Sequence, residues 1–249
     1  MPDPILLRQL DGPVARLTLN DPEHANVLSE AMMEALSQAL ADLAGDPAAR
    51  VIVLSAAGRV FCAGHDLGEL QAAGDGAEAV FARCSAVMQA IVASPKPVIA
   101  RVQGAAVAAG CQLVASCDLA YAVDTARFAV SGINLGLFCS TPGVALARAV
   151  GRKDALELLL TGRFAGAAEA AAMGLINRAV PAADLDAVVD EAAQAIAAKA
   201  PDAIALGKRV FNRQAELPLG DAYAVASAAM AENLGYASAE TGIAGFLKR

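Results

Sequence analysis

Two glycine-punctuated loops, each downstream of a short apolar run, carry the residues on which chemistry could be built. The first is Phe61-Cys62-Ala63-Gly64-His65-Asp66, after Val51-Ile52-Val53-Leu54. The second follows Val98-Ile99-Ala100, turns at Gly104 and passes through small residues only, Ala105 to Gly110. It then enters a helix-like segment ending at Cys117-Asp118. Small side chains let another group approach the backbone closely. The first N–H groups of a helix have no internal partner and sit at the positive end of its dipole. If the two runs are neighbouring buried strands, both loops leave the sheet on one edge. One N–H from Gly64-His65-Asp66 and one from Ala109-Gly110 would then converge on a carbonyl oxygen. They would stabilise the charge it gains as an enolate or tetrahedral adduct, by about 3 kcal/mol per donor. Tight helix–sheet packing uses the same alanines and glycines, and the second stretch alone leaves the two readings even.

Other chemistries find no support. There is no GxSxG elbow, GxGxxG, P-loop or HExxH, and the glycines from Gly104 to Gly110 have the wrong spacing for a dinucleotide fingerprint. Cys62, His65 and Asp66 lie close together but lack a fourth ligand at useful spacing, so no metal is expected. The five cysteines are odd in number and irregular in spacing, which indicates free thiols in a reducing compartment. A formal net charge of -7 argues against nucleic acid or an anionic membrane as partner. The N-terminal MPDPILLRQLDG has no basic region followed by an apolar core, and no uninterrupted apolar run reaches bilayer-spanning length. The expectation is a soluble cytoplasmic protein.

The elements that must position the loops follow from periodicity. Ile5–Leu10 and Val14–Leu19 flank Asp11-Gly12-Pro13 as a hairpin, and Ser29 caps a helix whose apolar face is Met32, Met33, Leu36 and Leu40. Residues 68–94 read as helical with a soft patch at 72–77. Short strands are predicted at 119–123 and 128–130, and a helix starts at Ser140-Thr141-Pro142-Gly143. Beyond Leu156 the pattern is mostly helical, with one strand at 175–180. The fold class is therefore α/β, a largely parallel core followed by a helical region. Hydrophobic residues make up 57% of the chain, much of it alanine, which points to close helix packing and to surface buried between subunits.

The segments FCAGHDLGEL (61–70), PKPVIARVQGAAVAAGCQLVASCDLAYA (95–122) and 128–143 resemble the crotonase (enoyl-CoA hydratase/isomerase) superfamily, nearly end to end. The run 135–143, with Gly-His-Asp-Leu, looks like one subgroup of it. The resemblance implies a core of ββα spiral turns over residues 1–195 and a helical trimerisation region over 196–249, giving a homotrimer or a hexamer of two trimers. It implies an acyl-CoA thioester as ligand, coenzyme A being part of the substrate and no other cofactor being needed. Matched residue by residue, the oxyanion donors would be the N–H groups of His65 and Ala109. Coenzyme A would lie along Ala25, Ala63, His65 and Leu67, with Phe246 and Arg249 nearby, across a subunit boundary if need be.

Two departures qualify the activity. The positions where related hydratases carry their two acid–base glutamates are Gln112 and Gly132 here. Glutamine cannot take up a proton near neutrality and glycine has no side chain, so hydration should be slow at best. Isomerase, lyase or thioesterase chemistry, or acyl-CoA binding without turnover, stays open. The remaining pocket candidates are His65, Asp66, Gln112, Asn134, Cys139 and Ser140, with Ser140, His65, Ala109 and Gln112 the catalytic set. Asp66 is also the natural cap of the next turn, Cys139 a small buried hydrophobe, and Asp118 a partner for backbone groups beside Cys117.

Overall fold

The computed structural model describes residues 3–248. The chain begins with the expected hairpin, β1 (Leu6–Asp11) against β2 (Val14–Leu19), turning at Gly12 with φ +54. Helix α1 (Glu30–Gly45) starts where Ser29 accepts a hydrogen bond from the Met32 N–H, and buries Met32, Met33, Leu36 and Leu40.

A repeated unit follows, in which a long strand is succeeded by a short one and then by a helix. It runs first through β3 (Val51–Ala56), β4 (Val60–Cys62), α2 (Leu67–Ala73) and α3 (Ala77–Ala93). It recurs as β5 (Val98–Val102), β6 (Ala105–Val107) and α4 (Ala109–Ser116). The third turn is β7 (Leu119–Val123), β8 (Arg127–Ala129), a 3-10 turn (Ser131–Leu135) and α5 (Ser140–Ala149). Helix α6 (Arg152–Thr161), β9 (Ala165–Gly166), α7 (Ala167–Ala172), β10 (Arg178–Val180) and α8 (Leu185–Ala197) complete the core. Helices α9 (Pro201–Gln214), α10 (Leu219–Leu234) and α11 (Ala237–Leu247) end the chain.

The long strands form one sheet in the order β1-β2-β3-β5-β7-β10, parallel apart from the β1 edge, and the short ones a second sheet in the order β4-β6-β8-β9. This is the ββα spiral of the crotonase fold. Parallel strands buried on both faces carry continuous apolar runs, as Val51 to Leu54 and Val98 to Ala100 do here. Because β3 and β5 are paired, the loops beyond them emerge side by side.

Sequence periodicity passes over β4, β6, β9 and α11. The three strands are only two or three residues long, below any detectable period. The expected strand at 175–180 pairs only from Arg178, alongside β7. Helix α5 begins at Ser140 with Cys139 in the cap position and no side-chain cap bond, so neither Ser140 nor Thr141 serves as cap. The expected boundary after residue 195 falls two residues short of the end of α8 (Leu185–Ala197), which packs on the large sheet.

Helix α9 is fastened to the core by Lys208, only 8% exposed at its side chain. It donates to the carbonyls of Ile91 and Lys96 and pairs with Asp118 at 2.7 Å. Asp118 also accepts from the Val98 N–H, in line with the backbone-satisfying reading. The stretch Leu67–Ala93 is apolar and long enough to match a membrane span in composition, but it is broken at Gly74–Gly76. Within it α3 buries Val80, Cys84, Val87, Met88 and Ile91 in the core.

Candidate functional site

Gly64 and Ala109 define the site. Gly64 adopts φ +100, and a Cβ placed on it would lie 3.0 Å from the Ala108 Cβ, 3.1 Å from the Val107 carbonyl oxygen and 3.3 Å from the Ala109 nitrogen. The loop after β4 and the start of α4 therefore touch backbone to backbone. Two glycines make this possible from below: a Cβ on Gly104 would be 1.9 Å from the Arg59 carbonyl oxygen, and one on Gly110 2.2 Å from that of Cys62.

Each donor is freed by a local backbone feature. The Leu28 N–H bonds the Gly64 carbonyl at 2.7 Å, anchoring the loop one residue before His65. The Ala108 N–H extends the short sheet by bonding the Ala129 carbonyl at 2.8 Å, and Ala108 then turns to φ 49, ψ -116. That region is costly for a residue with a side chain, by about 1–3 kcal/mol. The turn takes the next N–H, that of Ala109, out of the ladder. Among the described residues neither the His65 nor the Ala109 N–H donates to a protein acceptor. Two adjacent free donors, one at the start of a helix, can hold an oxygen that gains negative charge.

Both residues line a cleft of about 690 Å³, walled by α2, α3, the 131–142 segment and the loop at residues 24–27. Its surface is mostly apolar, with Val27, Leu70, Phe81, Leu135, Leu137 and Phe138 contributing, and among the described residues no Lys or Arg lines it. Of the predicted site residues, Ala63, His65, Asp66, Leu67, Ala109, Cys139 and Ser140 meet there. Ala25 stands just outside, its carbonyl bonding the Ala63 N–H at 3.1 Å.

The other candidates are placed elsewhere. Gln112 is buried one turn into α4, does not border the cleft, and its amide oxygen has no hydrogen-bond partner among the described residues. Asn134 bonds the Gly162 carbonyl outside the cleft. Phe246 is 75% exposed on α11, away from the cleft of its own chain, and Arg249 lies outside the described residues. Gly132 lines the cleft with no room for a side chain: a Cβ would be 2.4 Å from the Leu137 carbonyl oxygen and 2.8 Å from the Cys139 Sγ. Sequence reasoning missed His24, Val27, Leu70, Phe81 and Leu137. They are ordinary loop or helix residues there, brought to the cleft only by the packing of α2 and α3 and the fold of the 131–139 segment.

The titratable groups of the cleft are distinct in kind. Burial pushes the His65 imidazole below its ordinary range, so it is neutral near pH 7. Its Nε2 is enclosed without a partner among the described residues, and the ring meets Phe81 edge to face at 5.3 Å and 89°. Asp66 caps α2, accepting from the N–H groups of Gly68 (2.7 Å) and Glu69 (3.0 Å), as anticipated. The Cys139 Sγ accepts from the Gly132 N–H at 3.3 Å, and burial raises the thiol above its ordinary value. His24 is exposed and held above its ordinary range by a 2.7 Å bond to Asp21. Among the described residues no three His, Cys, Asp or Glu side chains gather as metal ligands.

Comparison with known proteins agrees with this architecture. The family model for enoyl-CoA hydratase/isomerase matches residues 10–249. The chain is similar to human enoyl-CoA hydratase domain-containing protein 3, mitochondrial. The two are 46% identical over 250 residues, 100% of this chain and 82% of the relative. The Xenopus laevis protein of the same name is 44% identical, over 99% of this chain and 84% of its own. A crystal structure described as enoyl-CoA hydratase from Mycobacterium smegmatis superposes with a TM-score of 0.97 at 52% identity, covering 99% of this chain and 97% of that one. The human structure gives 0.95 at 45%, over 98% and 97%. The names of the human and frog relatives overturn the expectation of a cytoplasmic protein, since both are called mitochondrial. Compartment is set by targeting segments, which charge balance and cysteine spacing do not record. The end-to-end match, together with the ββα spiral, establishes that the chain belongs to the enoyl-CoA hydratase/isomerase (crotonase) family.

Proposed function

We propose that the chain binds an acyl-CoA thioester, with the thioester oxygen held between the His65 and Ala109 N–H groups and the acyl chain against Phe81, Leu70 and Leu137. The observation that carries this is the backbone contact of Gly64 with Ala109 beside an apolar cleft lined by His65 and Ala109, whose N–H groups have no acceptor among the described residues. Members of the family act on acyl-CoA substrates and are typically oligomeric. Coenzyme A would run out past Ala63, Leu67 and the Ala25 turn. The chemistry passes through an enolate or tetrahedral oxyanion. Hydration is disfavoured because neither Gln112 nor Gly132 can present a carboxylate to the cleft. That same observation favours a second reading, an acyl-CoA binder without turnover.

We further propose that the exposed apolar faces of α10 and α11, with Leu219, Tyr223, Met230 and Phe246, pack on sister copies as a homotrimer or a dimer of trimers, bringing Phe246 toward a neighbouring cleft. Titration calorimetry with butyryl-CoA and with free coenzyme A tests the first proposal. Clearly tighter binding of the thioester is expected, and equal affinity or no binding refutes it. Light scattering of the purified chain tests the second, and a monomer refutes it.

A further inference from the structure

We propose that His65 is also the proton-transfer group of the cleft, its imidazole Nδ1 taking and returning a proton on the carbon next to the thioester carbonyl. This rests on the acyl-CoA reading above. The step balances within one residue and its ligand. The Cα–H bond breaks, the proton bonds Nδ1, and the electron pair passes through the new C=C bond onto the carbonyl oxygen. The backbone N–H of His65 and that of Ala109 hold that oxygen. Reversal returns a proton to Cα.

Four observations carry the assignment. First, the two ring nitrogens differ: neither has a partner among the described residues, but Nε2 is enclosed and Nδ1 is not, and His65 lines the cleft. Second, the edge-to-face contact with Phe81 fixes the ring. In the proposed step the hydrogen of the neutral ring sits on the enclosed Nε2, and the Nδ1 lone pair is free for the proton. Third, Nδ1 is the ring nitrogen nearer to the backbone N–H of its own residue, so a carbon beside an oxygen held by that N–H lies within its reach, as proton transfer requires. Fourth, the competing groups are occupied or absent. Asp66 is spent on the first turn of α2, His24 on Asp21, and Cys139 on the Gly132 N–H, while Gln112 and Gly132 offer no base. Burial without a charged partner keeps the imidazole neutral and ready to accept a proton near pH 7.

The test is deuterium incorporation at Cα of butyryl-CoA in D2O, followed by mass spectrometry at saturating thioester so that affinity does not enter. The full-length protein should catalyse exchange. The rate should rise with pH through a midpoint below 6.5 and then level off. His65→Asn, which keeps the backbone N–H, should lower the plateau at least 100-fold, within the 10²–10⁴ range of general acid–base catalysis. Phe81→Leu, which releases the ring without touching the thioester oxygen, should lower it about threefold to tenfold. Wild-type protein that binds butyryl-CoA but exchanges no faster than buffer would overturn this inference and leave the binding proposal standing. Exchange undiminished in His65→Asn would overturn it as well. Failure to bind butyryl-CoA at all would overturn both.

Discussion

A methyl group on Gly64 would stand 3.3 Å from the Ala109 nitrogen, so two loops more than forty residues apart in the chain share one backbone contact. Gly64→Ala should therefore act twice. The positive φ and the crowding against Val107 and Ala108 should cost about 1–3 kcal/mol, lowering Tm by several degrees. The added Cβ should also weaken thioester binding by pushing the donors apart. Gly12→Ala is the control, with a positive φ but open space around its Cβ, and it should cost stability without changing binding. Calorimetric melting and binding of both variants check this; equal binding losses would show that the contact at Gly64 has no special role.

The chain has two histidines, and their shifts have opposite signs. His24 is raised by its bond to Asp21, so the stability it contributes is present below 6.5 and is lost as pH rises through its folded pKa. His65 is lowered by burial, so the unfolded chain binds its proton more readily, and stability falls as pH drops from 6.5 through the folded pKa of His65. An NMR titration should show one imidazole with a midpoint above 6.5 and one below. His65→Asn should remove the lower titration and flatten the acid limb of the stability curve between those limits.

Returning the missing carboxylates should not create a hydratase. In Gln112→Glu/Gly132→Glu, the first new carboxylate is buried without a partner, and the second needs a Cβ at 2.4 Å from the Leu137 carbonyl oxygen. A buried unpaired carboxylate either takes up a proton or costs several kcal/mol. The double variant should lose Tm relative to wild type and hydrate crotonyl-CoA no faster. A large gain in hydration would mean that the 131–139 segment yields more easily than its packing indicates.

Lys208→Met should uncover Asp118. Desolvation already raises that carboxyl, with the Lys208 ammonium opposing the rise. Breaking a buried pair typically costs about 3–5 kcal/mol, and about half of that is expected here because the Asp118 side chain is 26% exposed. The deficit should be largest at neutral pH. It should shrink as pH falls through the further raised Asp118 pKa, where the carboxyl takes up its proton and no longer needs a cation. Urea unfolding at several pH values measures it, and a deficit that grows toward acid would contradict this account.

Much of this was legible in the residues. The apolar runs at 51–54 and 98–100 announce adjacent buried strands, Ser29 and Asp66 each cap the helix next in the chain, and the glycines beside His65 and Ala109, Gly64 and Gly110, mark where backbone must meet backbone. What was not legible depends on contacts distant in sequence. Nothing about Phe81 foretells that it faces His65, because it occupies one of many apolar positions along a helix. Gln112 looks available from its spacing, yet the direction of α4 turns it into the core. The lack of room at Gly132 arises from Leu137 and Cys139 folding back over it, a conformation without a periodic signature. Compartment was misjudged because a folded core does not state its address.

The attachment of Lys208 to Asp118, Ile91 and Lys96 also divides the chain mechanically. It gathers the end of α3, the approach to β5 and the middle of α9 at one ammonium group. Beyond it, α10 packs on α9 and α11 on both. A chain pulled from its C terminus, or trimmed there by a protease, should shed α11 and α10 first and halt at α9, so that the cleft outlasts the helices that follow it.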